Sequence, residues 1–165
     1  MKVCLMSFDN ESFTSLLKLN SFQIVSNNDN QIKIWDLTER KLVKTISGHT
    51  QYITCIIKIK KTKIASCSFD TTIKIWDSKS GDCLRTLVDQ DNGELENLLK
   101  LNEAQIVSFN NSIKLWDLQT GSCIARIAND SHSILCSDKI SKIHIITGGY
   151  DNNLKLWDLS LRLDN

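Results

Sequence analysis

Apolar and polar positions alternate along the chain in short runs. In the clearest unit, residues 52–57, 63–67, 72–76 and 83–87 are rich in β-branched and apolar residues, and turns containing Gly, Asn, Asp or Ser separate them. This pattern predicts four short β-strands. No segment keeps the 3.6-residue apolar period over the roughly ten residues that a helix requires. The pattern therefore predicts an all-β fold.

A unit of this kind occurs four times at a nearly constant period, and the fourth copy is short after its third strand. Each copy ends its third predicted strand in a Trp-Asp pair, and the four tryptophans are Trp35, Trp76, Trp116 and Trp157. Successive tryptophans lie 41, 40 and 41 residues apart. A unit of this length cannot bury its apolar face alone, so neighbouring units must stack. We predict one domain over residues 1–165, with repeats at about 8–47, 48–88, 89–128 and 129–163.

Composition narrows the chemistry that the chain can carry. With 41% hydrophobic residues and no proline in 165 residues, the chain is long enough to bury a core. Its six cysteines form no Cys-x-x-Cys pair and have no histidine cluster nearby, so we predict reduced thiols and no metal site. The sequence contains no phosphate-binding loop and no activated nucleophile. These features favour a protein that is not an enzyme and has no cofactor.

The N-terminal residues bear on the expected compartment. The run 1–8 is too short for the apolar core of a signal peptide, and Asp9, Asn10 and Glu11 follow it directly. No stretch approaches the length of a membrane span. We therefore expect an intracellular, cytoplasmic protein, although the sequence leaves a nuclear location open.

One repeat combines Gly48-His49, Asp70 and Trp76-Asp77, and the other repeats carry partial copies. This set resembles the WD-repeat β-propellers over almost the whole chain. The resemblance implies a small or partial propeller of four-stranded antiparallel blades. In that family a His, a Ser or Thr, an Asp and the Trp form a structural hydrogen-bond network, which here implies structural roles for His49, Ser66, Asp70 and Trp76. A hydrolase triad is disfavoured because no oxyanion device accompanies these residues.

The resemblance implies degenerate versions of this network in the other repeats. Repeat four keeps Thr147, Asp151 and Trp157, with His132 shifted by two positions. Repeat one has Ser26, Asp29 and Trp35 and lacks the histidine. Repeat three has Asn110 where Asp is expected, together with Ser108 and Trp116, and we expect it to be the least completely bonded.

The number of repeats leaves the closure of the ring open. A blade takes its outermost strand from the residues after its Trp-Asp pair, and the last repeat is short there. Segment 2–7 resembles an outermost strand with no blade of its own, so we predict that it completes the last blade. A closed four-blade ring, an open arc belonging to a larger protein, and two chains joined into an eight-bladed ring are the three arrangements. We favour the open arc, which exposes apolar surface and invites self-association.

Charge separates onto two rims, although the net charge is only +1. In the family, the loops before the first strand and between the second and third strands form one rim, here called the top rim. None of these loops contains Lys or Arg; they are residues 8–13, 27–31, 47–51, 68–72, 88–94, 109–112, 129–133 and 148–153. The opposite, bottom rim collects Lys18, Arg40, Lys41, Lys58, Lys60, Lys61, Lys63, Lys79, Lys100, Lys139 and Lys142. The top rim is therefore expected to attract a basic partner.

Aromatic residues precede the turn Asp or Asn of three repeats, where family propellers often present binding residues. They can anchor a partner side chain or pack on their own turns. We predict a non-catalytic protein-interaction scaffold that binds a basic peptide segment, with partner-binding residues Phe69, Phe109, Tyr150, Asp89, Asp91 and Asp130.

Two other partners are weighed against the basic peptide. The bottom rim is the alternative surface, contacting nucleic acid or an anionic membrane, but it lacks interleaved aromatics for base stacking. Phosphopeptide capture is disfavoured because the top-rim loops contain no arginine.

Overall fold

A computed structural model describes residues 13–91, 93–128 and 134–160. In these ranges the chain forms strands and turns, without an α-helix. The strands are β1 (Leu16–Lys18), β2 (Gln23–Asn28), β3 (Gln31–Asp36), β4 (Lys41–Ser47), β5 (Ile53–Lys58), β6 (Lys63–Ser68), β7 (Thr72–Asp77), β8 (Cys83–Val88), β9 (Asn97–Lys100), β10 (Gln105–Phe109), β11 (Ser112–Asp117), β12 (Cys123–Ala128), β13 (Ile134–Lys139), β14 (His144–Gly149) and β15 (Leu154–Asp158). The described part of the chain contains no helix long and apolar enough to cross a membrane.

The strands form four antiparallel sheets, each made by consecutive strands. Blade 1 contains β1–β4, blade 2 contains β5–β8, blade 3 contains β9–β12, and blade 4 contains β13–β15. Neighbouring strands pair in sequence order within every blade, because each connection is a short turn. The expected all-β fold of antiparallel blades is confirmed.

Turn chemistry fixes the hairpin between the third and fourth strands of blade 2. The Asp77 carboxylate accepts hydrogen bonds from the backbone N–H of Lys79 at 2.8 Å and of Ser80 at 3.0 Å. Gly81 then takes a φ of 92°, which lies in the left-handed region that glycine occupies without strain. The pairing also shifts by one residue between Ile75 and Trp76, and this bulge turns the strand where the indole inserts.

The hydrophobic core lies between blades, where three clusters fill three junctions. At the first junction the buried residues of blade 1 are Leu19, Val25, Ile32, Ile34 and Ile46, and those of blade 2 are Ile53, Ile56, Ile64 and Trp76. The second junction is built around Trp116 and also contains the small residues Ala65 and Cys67, and the third includes the partly buried Trp157. The tryptophans of blades 2, 3 and 4 thus pack against the preceding blade, so a blade without neighbours has an exposed apolar face.

The stack of blades remains open among the described residues. The extensive contacts between sheets join blade 1 to blade 2, blade 2 to blade 3, and blade 3 to blade 4. Leu154 and Leu156 on β15 are 78% and 66% exposed. The described part of blade 4 has three strands, and the predicted completing strand 2–7 lies outside the described residues.

Candidate functional site

A continuous hydrogen-bond network joins the four predicted network residues of blade 2. The Trp76 indole N–H donates to Ser66 Oγ at 2.8 Å, and Ser66 Oγ lies 2.8 Å from His49 Nε2. His49 Nδ1 lies 2.7 Å from Asp70 Oδ2. Because the carboxylate only accepts, Nδ1 donates to it, and the Ser66 hydroxyl donates to Nε2 of the neutral imidazole. Every polar group in this buried set therefore has a partner.

Burial and hydrogen bonding set the ionisation of this network. Burial lowers the pKa of His49 and outweighs the opposing effect of Asp70, so the neutral ring is favoured. Burial acts to raise the pKa of Asp70, but hydrogen bonds from the Thr72 hydroxyl and the Thr50 backbone N–H outweigh it and lower that pKa. The network thus combines a neutral imidazole with a carboxylate, which is a structural arrangement held by hydrogen bonds.

The same tryptophan bond occurs in all four blades. Each indole N–H donates at 2.8 Å to the hydroxyl of the predicted second-strand residue; the pairs are Trp35–Ser26, Trp76–Ser66, Trp116–Ser108 and Trp157–Thr147. In blade 4 the Asp151 carboxylate pairs with Lys155 Nζ at 2.9 Å, and this contact holds the pKa of Asp151 to about 2. In blade 1 the Asp29 side chain is exposed. The tryptophan–hydroxyl bond is therefore the constant part of the repeat.

Blade 3 replaces the imidazole–carboxylate pair by a buried ion pair. Asp89 stands as far before Trp116 as His49 stands before Trp76, and its Oδ2 accepts a hydrogen bond from Asn110 Nδ2 at 3.0 Å. The ammonium of Lys114 contacts the other Asp89 oxygen, and the side chains of this ion pair are 5% and 0% exposed. This set was not predicted from the sequence, because Asp89 and Lys114 do not match the residue types of the blade 2 network. The sequence did contain a signal for it, because Asp89 occupies the repeat position of His49.

Two predicted partner-binding residues are buried, so those predictions are wrong. Phe109 is fully buried at the junction between blades 3 and 4, because its ring packs inward instead of standing on the rim. Asp89 is buried with Lys114, and a buried, paired carboxylate is not available to a partner. Asp130 and His132 lie outside the described residues.

Asp91 remains on the surface, with part of its charge compensated. Its Oδ2 lies 2.6 Å from Lys114 Nζ and 3.1 Å from Arg126 Nη2. Lys114 is the leading cause of the lowered pKa of Asp91. Both cations belong to strands, Lys114 to β11 and Arg126 to β12, and their side chains reach the acidic loop. A count of the charges in the loops alone does not include them. The negative potential of the top rim is consequently weaker around blade 3 than the sequence predicts.

The top of blade 2 brings together two aromatic residues and two acidic residues, here called the blade 2 patch: Asp29, Tyr52, Phe69 and Glu94. Tyr52 is exposed and Phe69 is half-buried, and the Phe69 N–H donates to the Tyr52 carbonyl at 3.0 Å.

Backbone hydrogen bonds hold the acidic members beside the aromatics. The Asp29 carbonyl accepts from Ile53 N–H at 2.8 Å, and Leu95 N–H donates to the Ser68 carbonyl at 3.4 Å. These bonds place exposed Asp29 of blade 1 on one side of the aromatics and exposed Glu94 of blade 3 on the other.

Sequence reasoning named Phe69 but missed Tyr52. Its position immediately before the buried Ile53 was the signal, because strand alternation turns its side chain outward. Tyr150, on blade 4, is also exposed but stands apart from this patch along the order of blades.

The bottom rim uses several of its lysines to join blades. Lys58, Lys100 and Lys139 each end the first strand of a blade, and their ammonium groups donate at 2.5 Å to carbonyls of the preceding blade. The acceptors are the carbonyls of Leu19, Ile59 and Leu101 respectively. These three charges therefore have a structural use.

The same rim carries an open groove between blades 1 and 2, with Lys44, Lys61 and Lys79 in its wall. Over the ranges that the structure covers, no group of three or more His, Cys, Asp or Glu side chains is placed to hold a metal ion.

Comparison with known proteins agrees with the blade geometry. Residues 40–77 and 121–158 match the family model described as WD domain, G-beta repeat. Over 155 residues the chain is 25% identical to the ribosome biogenesis protein YTM1 of Vanderwaltozyma polyspora, covering 93% of this chain and 29% of that protein. Over 74 residues it is 36% identical to the COMPASS component SWD3 of Saccharomyces cerevisiae, covering 44% of this chain and 24% of that protein. The chain thus spans less than a third of the length of either relative.

A solved structure shows the same architecture. The WD40 β-propeller domain of Doa1 superposes with a TM-score of 0.80 at 26% identity, over 88% of this chain and 50% of that one. The two family matches, the tryptophan–hydroxyl bond in every blade and this superposition lead to one conclusion. Two segments of the chain are WD repeats, and the chain as a whole is similar to WD-repeat β-propeller domains.

Proposed function

We propose that this chain is a non-catalytic protein-interaction scaffold, and that the blade 2 patch binds a basic peptide segment of a partner. WD-repeat proteins generally act as such scaffolds. The two relatives described above are named for ribosome biogenesis and as a component of COMPASS, which suits a part that works within larger assemblies. The single observation that carries the finer proposal is that Tyr52 and Phe69, joined by a backbone hydrogen bond, lie between exposed Asp29 and exposed Glu94.

The chemistry of the blade 2 patch selects the class of partner. Exposed aromatic faces bind the aliphatic stem of Lys or the planar guanidinium of Arg, and their quadrupole attracts the positive charge. Backbone bonds hold Asp29 next to the Tyr52 end and Leu95 next to the Phe69 end, so the exposed Asp29 and Glu94 add negative charge on both sides of the aromatics. Blade 2 has the complete network from Trp76 to Asp70, which gives the patch a rigid support. An acidic segment would meet like charge on both sides.

A peptide-binding experiment tests this proposal. Fluorescence anisotropy is measured with two labelled peptide panels of equal length, one rich in Lys and Arg and one rich in Asp and Glu. We expect the basic panel to bind, and its affinity to fall with added salt because the patch charges are exposed. Phe69→Ala and Tyr52→Ala should each weaken binding about tenfold or more, the range of an aromatic anchor.

The chain offers a matched control on the other rim. Phe22 is an exposed aromatic in the turn between β1 and β2, so Phe22→Ala removes a similar ring from the bottom rim. Binding should be unchanged by this substitution. Tyr150→Ala tests the separate aromatic of blade 4. The proposal is overturned if the acidic panel binds better, or if Phe22→Ala weakens binding as much as Phe69→Ala. Those outcomes would move the site to the bottom rim.

A further inference from the structure

The three internal junctions define what a complete blade–blade contact looks like. On the third strand of blades 1–3, the residues one and three positions before the Trp face the following blade. All six are buried: Ile32, Ile34, Ile73, Ile75, Ile113 and Leu115. Their counterparts in blade 4 are Leu154 and Leu156, which are 78% and 66% exposed. Among the described residues, blade 4 therefore carries a junction surface without a covering blade. We call the surface formed by Ile140, Leu154 and Leu156 the trailing face.

Blade 1 carries the other half of such a junction. Leu16 pairs with Ser26 in the register in which Ile56 pairs with Ser66 and Leu98 with Ser108. Ile56 and Leu98 are buried against the preceding blade, whereas Leu16 is 70% exposed. We call the surface formed by Leu16, Lys18 and Ile24 the leading face.

Ile24 shows the same contrast within the leading face. It pairs with Lys18, and it is half-buried where its counterparts Ile64, Ile106 and Ile145 are fully buried.

The same lysine–carbonyl hydrogen bond occurs at every internal junction, and its two unused partners lie on the two end blades. The lysine that ends the first strand of blades 2, 3 and 4 donates to a carbonyl of the preceding blade, at 2.5 Å each time. In blade 1 the lysine at that register is Lys18, which is exposed. The corresponding carbonyl in blade 4 belongs to Ile140, whose side chain is exposed where Leu19, Ile59 and Leu101 are buried. Lys18 in blade 1 is thus the exposed donor of this set of hydrogen bonds, and Ile140 in blade 4 is its exposed acceptor residue. They lie at opposite ends of the described stack.

We propose that the trailing face of blade 4 binds the leading face of blade 1 in a second copy of this chain. Two copies related by a two-fold axis then form two identical junctions and close an eight-bladed ring, with Lys18 of each copy donating to the Ile140 carbonyl of the other. Both faces belong to one chain, so each copy covers the exposed junction faces of the other. The partner is identified by continuity with an interface that the chain already makes three times.

The curvature of the stack supports two copies. The chain follows half of the WD40 β-propeller domain of Doa1 with a TM-score of 0.80, so its blades turn through about half of a ring of that kind. A four-bladed ring from one chain requires each blade to turn about twice as far. In the described structure, extensive contacts between sheets stop at blades 3 and 4 and do not return to blade 1.

Light scattering on the purified chain tests this inference. We expect a mass of twice the 18.7 kDa chain, and small-angle scattering of a ring with a central channel. Leu156→Glu on the trailing face and Leu16→Glu on the leading face should each weaken dimerisation by about a hundredfold or more, because each buries a charge at both junctions. Lys18→Met should weaken it about tenfold through loss of a charged hydrogen bond.

A control variant and two kinds of contradicting result complete this test. Leu84→Glu places the same charge on an exposed leucine of the outer strand β8, away from both faces, and should leave the dimer intact. All three leucines are exposed, so the variants keep the fold. A monomeric wild-type chain, or one that forms larger assemblies, overturns the proposal. So does a dimer that responds to Leu156→Glu but not to Leu16→Glu, because it would join two trailing faces. Peptide binding by the blade 2 patch is measured separately and does not depend on this outcome.

Discussion

Lys114→Met is the substitution that best tests how blade 3 is held together. Lys114 is the buried cation of this blade, contacting Asp89 directly and lying 2.6 Å from Asp91 Oδ2. Its removal leaves the fully buried Asp89 carboxylate with only the Asn110 amide as a described side-chain partner. Breaking a buried ion pair by removing one member costs about 3–5 kcal/mol, because the remaining charge stays desolvated. We expect the free energy of unfolding to fall by that amount in urea denaturation followed by tryptophan fluorescence.

The chain supplies a matched control for this substitution. Lys74 occupies the same position in blade 2, where its ammonium donates to Thr86 Oγ1 at 3.0 Å near the surface. Lys74→Met should change the free energy of unfolding by less than about 0.5 kcal/mol, as exposed polar substitutions do. Asp89→Asn added to Lys114→Met should recover part of the loss, since the amide carries no charge to desolvate. Equal effects of Lys114→Met and Lys74→Met would refute the ion-pair interpretation.

Two further predictions concern the network of blade 2. Ser66→Ala leaves both the Trp76 N–H and His49 Nε2 buried without a partner, so the free energy of unfolding in urea should fall by about 2–4 kcal/mol. Ser108→Ala affects one indole only and should lower it by about 1–3 kcal/mol. A larger loss for Ser108→Ala would contradict this interpretation of the network. Because the folded state lowers the pKa of His49, the unfolded state binds its proton first, so His49 supports stability above its ordinary pKa of about 6.5 and the free energy of unfolding falls as pH drops below it. His49→Gln should flatten this slope between about pH 7.5 and 5.5, and an unchanged slope would show that another group causes it.

The architecture can be predicted from the sequence because the same motif recurs in four repeats. The apolar-Lys-apolar-Trp-Asp motif fixes the strand register, and the tryptophan–hydroxyl bond follows wherever Ser or Thr stands on the second strand. Period and residue type determine these features locally, so a single sequence suffices.

The surface is less predictable because it depends on where side chains turn and how far they reach. Phe109 and Tyr150 have equivalent positions in the repeat, yet Phe109 packs in the core cluster between blades 3 and 4, whereas Tyr150 is exposed on blade 4, the last blade of the described structure. Asp89 was expected on a rim but is buried by Lys114, which approaches from the middle of β11. Neighbouring blades decide both cases, and a pattern within one repeat contains no information about its neighbours.

The most direct test of the proposed binding surface is to map a bound basic peptide by amide chemical shifts. A ¹⁵N-labelled chain of 18.7 kDa, or its dimer, is suitable for such spectra. The account predicts that titration with a Lys- and Arg-rich peptide shifts the backbone amides of Asp29, Tyr52, Phe69 and Glu94 first and leaves Phe22 unchanged. Shifts confined to the bottom rim around Lys61 and Lys79, or shifts only with an acidic peptide, would contradict it.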